Sequence, residues 1–234
     1  MNQTLTLCLG LSLAGAVTQL AAEVATKRPA QAARTERVDF APGGTITLPD
    51  SFGDLYIHGW DQPAVEMTLI KEMQDYDAPK NAAELLERVH LTTEHPSPNE
   101  LKISTAIPPH RFFRHPLGGR GPVTLRYELS VPQDSRLVIH HGGGNILIDN
   151  VTGGVEASNR EGDVVVVLPA PGPYAIDARS KMGTVISELP GQAHLKHFVG
   201  QAFLGASDAK AHPIHLRVGF GGITIKEMPP EAIP

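Results

Sequence analysis

Gly144-Asn145-Ile146-Leu147-Ile148 and Gly162-Asp163-Val164-Val165-Val166 carry one phrase: a glycine, a polar residue, then a short aliphatic run. It returns as Gly53-Asp54-Leu55-Tyr56-Ile57, Gly183-Thr184-Val185-Ile186-Ser187 and, altered, Gly221-Gly222-Ile223-Thr224-Ile225. Each copy reads as a turn feeding a strand, because glycine admits positive φ and β-branched residues suit a pleated surface. Eighteen residues separate Gly144 from Gly162, and 21 separate Gly162 from Gly183. Such spacings match one coil of a β-solenoid, each coil burying its face only by stacking on the next. An antiparallel sandwich of hairpins also produces regular short strands, and periodicity does not separate the two.

Working outward, Val38 and Phe40, Ile46 and Leu48, and Leu55 and Ile57 alternate with polar neighbours between Pro/Gly-rich breaks, which predicts a meander of short strands on the N-terminal side. The period changes at Ala78 to Val89. Ala82, Leu85, Leu86 and Val89 share one helical face behind Pro79, predicting one helix of about ten residues. Strands are expected again at Val89 to Thr93, Glu100 to Ala106 and Val123 to Val131. The pattern loosens from Lys181 to Gly205 and resumes at Leu216. The fold class expected is therefore all-β, a β-solenoid or β-helix-like stack with an N-terminal meander and one short helix. Whether the first half, to about His141, makes a separate sandwich stays open.

Residues 1–22 read as a signal peptide: Leu5 to Ala16 is apolar, and small residues follow for a peptidase, although Met1 to Thr4 lacks a basic residue. Residues 23–35 read as a flexible leader, 36–228 as the β-repeat domain and 229–234 as a proline-rich tail that stops strand addition. No second apolar run reaches membrane-spanning length, so no transmembrane segment is expected after cleavage, and the product is expected outside the cytoplasm. The one cysteine, Cys8, lies in the apolar leader, so disulfides are not expected to hold the mature fold. A formal net charge of −5, with both signs dispersed, argues against a nucleic-acid partner.

Among 11 histidines, His194-x-x-His197 and His212-x-x-His215 are candidate metal ligands, because neutral imidazole suits zinc and copper. An i, i+3 pair on a strand is split between faces, so the pairs serve only in loops or helices. Asp54 and Asp163 fill the polar slot of the repeat, where a side chain bonding its own turn backbone explains them. No Ser, His or Asp stands in a recognised nucleophile context, so no catalytic residue and no cofactor are assigned.

Two features remain as candidate partner-binding elements. Trp60, in Gly59-Trp60-Asp61, either stacks on a sugar or closes the apolar interior at a sheet end. The segment Arg111-Phe112-Phe113-Arg114, in a long Pro/Gly-rich loop, either docks a partner or plugs the β core.

The run Gly53 to Glu66, a helix, then Tyr127-Glu128-Leu129-Ser130-Val131-Pro132 and the repeated Gly-x-Val/Ile phrases together resemble the bacterial putative-adhesin, β-strand-repeat family. The resemblance covers roughly Glu36 to Glu227 and implies an exported, solenoid-like protein with no established catalytic site. The Arg/Phe loop and the histidine count depart from that pattern. The expected function is a non-catalytic cell-envelope or adhesin-like interaction protein whose partner is an envelope protein or glycan. The alternatives are a carbohydrate-active enzyme with a groove on a β-helix, and a periplasmic histidine-based metal binder.

Overall fold

Alternation inside the repeated phrase fixes which atoms leave water: Val164, Val166 and Leu168 are fully buried, while Val165 and Val167 are half-exposed. The same period of two runs through nearly every strand, so each sheet has one dry and one wet face. The structure, a computed structural model, describes residues 30–73, 82–107, 123–170, 172–196, 199–205 and 211–228. Among these the chain forms β1 (Ala30–Asp39), β2 (Thr45–Ser51), β3 (Asp54–Trp60), β4 (Ala64–Met73), α1 (Ala82–Glu87), β5 (His90–Ser97), β6 (Glu100–Ala106) and β7 (Val123–Pro132). There follow β8 (Arg136–His141), β9 (Ile146–Asp149), β10 (Val155–Glu161), β11 (Val164–Leu168), β12 (Tyr174–Met182) and β13 (Val185–Ser187). The last are β14 (Gly191–Lys196), β15 (Gly200–Gly205), β16 (His212–Phe220) and β17 (Ile223–Glu227). Among the described residues the protein is all-β with one short helix, as expected.

The strands make two mixed sheets. One has eight strands in the order β1-β4-β7-β3-β9-β11-β17-β13, and the other nine in the order β14-β15-β12-β16-β10-β8-β2-β6-β5. The strands flanking each glycine phrase fall in opposite sheets: β8 lies in the nine-stranded sheet and β9 in the other, and β2/β3, β10/β11, β12/β13 and β16/β17 divide the same way. Within each sheet the central strands pair in parallel. Antiparallel pairing is confined to the ends, where β1, β4 and β5 close one and the β14/β15 hairpin the other.

Register explains the aliphatic slots. Tyr127, Leu55, Ile146, Val164, Ile223 and Val185 form one cross-strand row. Leu101, Ile46, Leu137, Val155, Ile214 and Ile176 form its counterpart in the opposite sheet. All twelve are buried. Burying a large apolar side chain is worth about 1.5–3 kcal/mol, so these rows make a substantial contribution to the favourable side of folding. Tyr127 is the largest of the fully buried side chains among the described residues. Its hydroxyl meets Thr105 Oγ1 at 2.9 Å, and burial pushes its pKa up to about 12. At the antiparallel end Lys71 is buried as well, and its ammonium donates to the Val89 carbonyl at 2.9 Å.

Three expectations need correction or trimming, and the question left open about the first half is answered. The N-terminal strands are not a meander: β2 and β3 lie in different sheets, β1 pairs with β4, and β3 lies between β7 and β9, because the Gly53 turn carries the chain round the corner instead of back alongside itself. The first half is not a separate sandwich, since β2 and β3 pair directly with β8 and β9. Strand pairing begins at Ala30, inside the stretch read as leader, because β1 runs antiparallel along the whole of β4. Helix α1 spans six residues. Residues 1–29, the neighbouring 74–81, the Arg111 to Arg114 segment and the 229–234 tail lie outside the described residues.

Chain order and stacking order also differ. The β16/β17 pair lies between β10/β11 and β12/β13, so Ile223 separates Val164 from Val185 in the row. The outer edge of β12 is taken by β15, which leaves the last pair no place beyond it.

The corner between the two sheets shows why glycine recurs. Gly53, Gly144, Gly162, Gly221 and Gly183 follow one another along the stack, all at positive φ. A Cβ on Gly144 would sit 1.9 Å from the Gly53 carbonyl oxygen, and one on Gly162 would sit 2.1 Å from that of Gly144. Successive turns therefore touch backbone to backbone, and any side chain would force them apart.

Candidate functional site

The residues just before these glycines occupy equivalent places on β8, β10, β16 and β12, and they divide into an inner and an outer row. The inner row is Ser51, His141, Asn159, Val218 and Ser180, all buried. Positive φ turns the glycine carbonyls toward the interior, and the inner row meets them. His141 Nε2 donates to Gly53 O at 2.8 Å, Asn159 Nδ2 to Gly144 O at 2.9 Å and Ser180 Oγ to Gly221 O at 2.7 Å. Ser51 Oγ completes the chain by donating to His141 Nδ1 at 2.8 Å, the arrangement a neutral imidazole permits. Burial lowers the His141 pKa below its ordinary 6.5, against the opposing pull of the Gly53 and Gly143 carbonyls and of Asp54 and Asp50.

The polar slot after each glycine is structural too, though by a different bond from the one the sequence suggests. Asp54 Oδ1 accepts from the Asn145 amide at 3.3 Å, Asn145 Oδ1 from the Asp163 amide at 3.2 Å, and Asp163 Oδ1 from the Gly222 amide at 2.7 Å. Each side chain thus caps the backbone of the neighbouring turn.

The outer row contains His140, Ser158, Arg217 and Arg179, with Arg160 and Lys181 one step nearer the corner. These residues line an open depression of about 800 Å³ on the solvent face of the nine-stranded sheet. Gly219 lies between Arg160 and Lys181 in register and leaves bare backbone as the floor; a Cβ there would meet Arg160 O at 2.5 Å. Four cations converge here. Arg179 and Arg217 are direct cross-strand neighbours, a like-charge contact that costs stability unless something lies between them.

Asp177 supplies part of that something. Its Oδ2 accepts from Arg217 Nη2 at 2.6 Å and from Arg179 Nη2 at 3.1 Å, and its Oδ1 accepts from Arg179 Nε at 2.9 Å. Partial burial raises the Asp177 pKa, but the hydrogen bonds and charges of the two arginines outweigh it and hold the carboxyl below its ordinary value. Arg217 is anchored further by Nη1, which donates to the carbonyls of Asp177 and Leu216. Arg160 spends one donor, Nε, on Gly142 O at 3.2 Å. Lys181 has no hydrogen-bond or ion-pair partner among the described residues, and Asp50 is the single carboxylate among the described lining residues. The depression therefore presents a surplus of donors and positive charge suited to an anion.

The opposite sheet is unlike this. Its outer face has a smaller recess of about 320 Å³ lined by Glu66, Glu128 and Asp149, with His58 Nδ1 3.0 Å from Asp149 Oδ1.

The described candidate residues from the sequence are not drawn to one place. Trp60 is half-buried at the end of β3; its indole N–H donates to Ala64 O at 2.9 Å, and the Arg37 guanidinium lies 5.2 Å from its ring centroid. The ring thus serves the strand end. His194 is on β14, while His212 and His215 are on β16, with β15 and β12 between, so the three share no point. His212 is instead a neighbour of the Tyr174 ring, 6.4 Å between centroids. Among the described residues no three His, Cys, Asp or Glu gather in metal-binding proximity. His197 and Arg111, Phe112, Phe113 and Arg114 lie outside the described residues.

Sequence reasoning missed Arg160, Arg179, Lys181 and Arg217, yet the repeat carries them. With the phrases aligned on Gly144, Gly162, Gly183 and Gly221, the fourth residue before each is His140, Ser158, Arg179 and Arg217, and the second before each is Gly142, Arg160, Lys181 and Gly219.

No family model and no curated protein matches the chain. Solved structures do resemble it. One, described as a putative cell adhesion protein from Clostridium sporogenes, shares 14% identity over 86% of this chain and 100% of its own, with a TM-score of 0.47. A putative adhesin from Bacteroides fragilis shares 11% identity over 84% of this chain and 97% of its own, TM-score 0.23. A putative lipid binding protein from Parabacteroides distasonis shares 11% over 66% of this chain and 57% of its own, TM-score 0.27. Likeness at these values assigns neither partner nor activity. Among the described residues no helix is long and apolar enough to cross a membrane.

Proposed function

We propose that the protein is an exported, non-catalytic interaction module of the cell envelope, carried on a solenoid-like scaffold whose coils are the two-strand pairs and whose last coil is inserted between earlier ones. The observation that carries this reading is the division of labour at the corner. The interior polar groups Ser51, His141, Asn159 and Ser180 are engaged in hydrogen bonds within the fold, whereas the outer face of the nine-stranded sheet carries cationic donors without partners among the described residues.

A glycosidase groove would need two carboxylates flanking the substrate, one acting as acid and the other as base or nucleophile. The basic depression offers Asp50, while Asp177 is held by two arginines. Export is supported by the apolar run and small-residue sites of residues 1–22.

The test is to express the full chain in a bacterial host, follow its fractionation, and measure retention of the purified folded protein on isolated envelopes alongside reducing-end release from a glycan panel. Recovery outside the cytoplasm with saturable retention and no release is expected. Cytoplasmic retention or catalytic release of sugar would overturn the reading.

A further inference from the structure

We infer that the basic depression on the nine-stranded sheet is a binding site for an acidic glycan, a saccharide chain bearing carboxylates, lying across β10, β16 and β12 along the stacking direction. The inference rests on the interaction-module reading and names its ligand class.

The first argument is charge. Arg160, Arg179, Lys181 and Arg217 gather on three adjacent strands of a chain whose formal net charge is −5, and Asp177 offsets only part of their repulsion. An anion bridging them relieves the rest and satisfies donors that have no partner among the described residues: the terminal nitrogens of Arg160, Nη1 of Arg179 and Nζ of Lys181.

Spacing is the second argument. Neighbouring strands lie about 4.8 Å apart, so Arg217 and Arg179 stand one such interval apart on β16 and β12, and Arg160 and Lys181 two intervals apart on β10 and β12 with Gly219 between them. A linear ligand with repeating carboxylates meets them in turn, and the bare backbone at Gly219 lets it approach the sheet closely.

The lining disfavours the other polyanions. Among the described residues it contains no Phe, Tyr or Trp, the large rings on which the bases of single-stranded nucleic acid stack. Duplex DNA carries a charge every 1.7 Å or so, far more than four cations on a chain of net charge −5 neutralise. A flat bilayer reaches a recessed site less well than a narrow chain does.

Calorimetric titration of the full chain with polygalacturonate oligosaccharides tests the proposal, with uncharged dextran oligomers, phosphatidylglycerol vesicles and oligothymidylate as comparators. Polygalacturonate should bind, dextran should not, and affinity should fall as salt rises to about 150 mM. Arg160→Ala and Lys181→Ala are both exposed substitutions, checked for unchanged melting temperature, and together they should weaken binding by about tenfold or more.

Polygalacturonate affinity unchanged in the double variant would overturn the site. Tighter binding to vesicles or oligothymidylate would overturn the ligand class. Failure to bind polygalacturonate while envelope retention persists overturns this inference and leaves the interaction-module reading standing; loss of both overturns both.

Discussion

His141 and His140, Asn159 and Ser158, and Ser180 and Arg179 are neighbours in sequence yet face opposite sides of one sheet, and the two sides treat polarity differently. Inside, His141, Asn159 and Ser180 each donate to one glycine carbonyl of the adjoining turn. Outside, Arg179 and Arg217 share a single carboxylate, while Lys181 and the terminal nitrogens of Arg160 have no partner among the described residues. A polar row whose hydrogen bonds close on the backbone is serving the fold, because leaving a buried donor or acceptor unmade costs about 1–3 kcal/mol. A polar row that leaves like charges side by side carries a cost that a ligand can remove. The contrast is open to direct test.

The largest effect is expected at the corner on which both rows depend. Gly144→Ala places a methyl 1.9 Å from Gly53 O at φ +116°, and should cost on the order of 4 kcal/mol or prevent folding. Gly143→Ala beside it meets nothing closer than 3.7 Å and should stay within about 0.5 kcal/mol. Equal denaturation midpoints for the two variants would show that the turns do not stack through Gly144.

Next comes the inner row. Asn159→Leu is close in volume but leaves Gly144 O without its side-chain donor, and should destabilise by about 2–3 kcal/mol. Ser158→Leu, one residue away on the outer face, should change urea stability by roughly 0.5 kcal/mol or less. Reversal of that order would mean the inner hydrogen bonds contribute nothing particular.

A smaller, pH-dependent effect belongs to His141. Its native pKa is lowered by burial, so between that value and the ordinary 6.5 the unfolded chain binds the extra proton. The contribution of His141 to stability is therefore complete above 6.5, falls as pH drops through the window, and is lost below the native pKa. Denaturation followed from about pH 7 to pH 5 should show a drop that His141→Gln flattens. An unchanged slope in the variant would assign the drop to other groups.

The same contrast explains what the sequence discloses. Aliphatic alternation after each glycine was legible because a period of two is a local property, and with it the strands, the all-β class and the buried faces of Ile146, Val164 and Val185. The order of stacking was not legible. Rows such as Ile146, Val164, Ile223 and Val185 are interchangeable aliphatics, and nothing in Ile223 says that it belongs between Val164 and Val185 instead of after them.

The basic site was hidden for a related reason. Arg160, Arg179, Lys181 and Arg217 are spread over 58 positions and look dispersed until the glycines align them. The histidine pairs stood out by local spacing, and spacing along a strand is the wrong measure for a cluster built across strands.

Asp177 is where the two rows differ by least, and it gives the finest test. Its ion pairs with Arg179 and Arg217 are partly exposed, so Asp177→Asn should cost at most about 1 kcal/mol of stability. A purely structural carboxylate would leave no further trace. If Asp177 also offsets the charge of the depression, removing its charge should tighten polygalacturonate binding and steepen its salt dependence, since the arginines then have only the ligand to neutralise them. Weaker binding would mean that Asp177 orients the two guanidinium groups more than it competes for them, and would move the outer row toward the fully engaged condition of the inner one. Tighter binding with little change in melting temperature would place the two rows at opposite ends of one scale, fold on one face of the strand and recognition on the other.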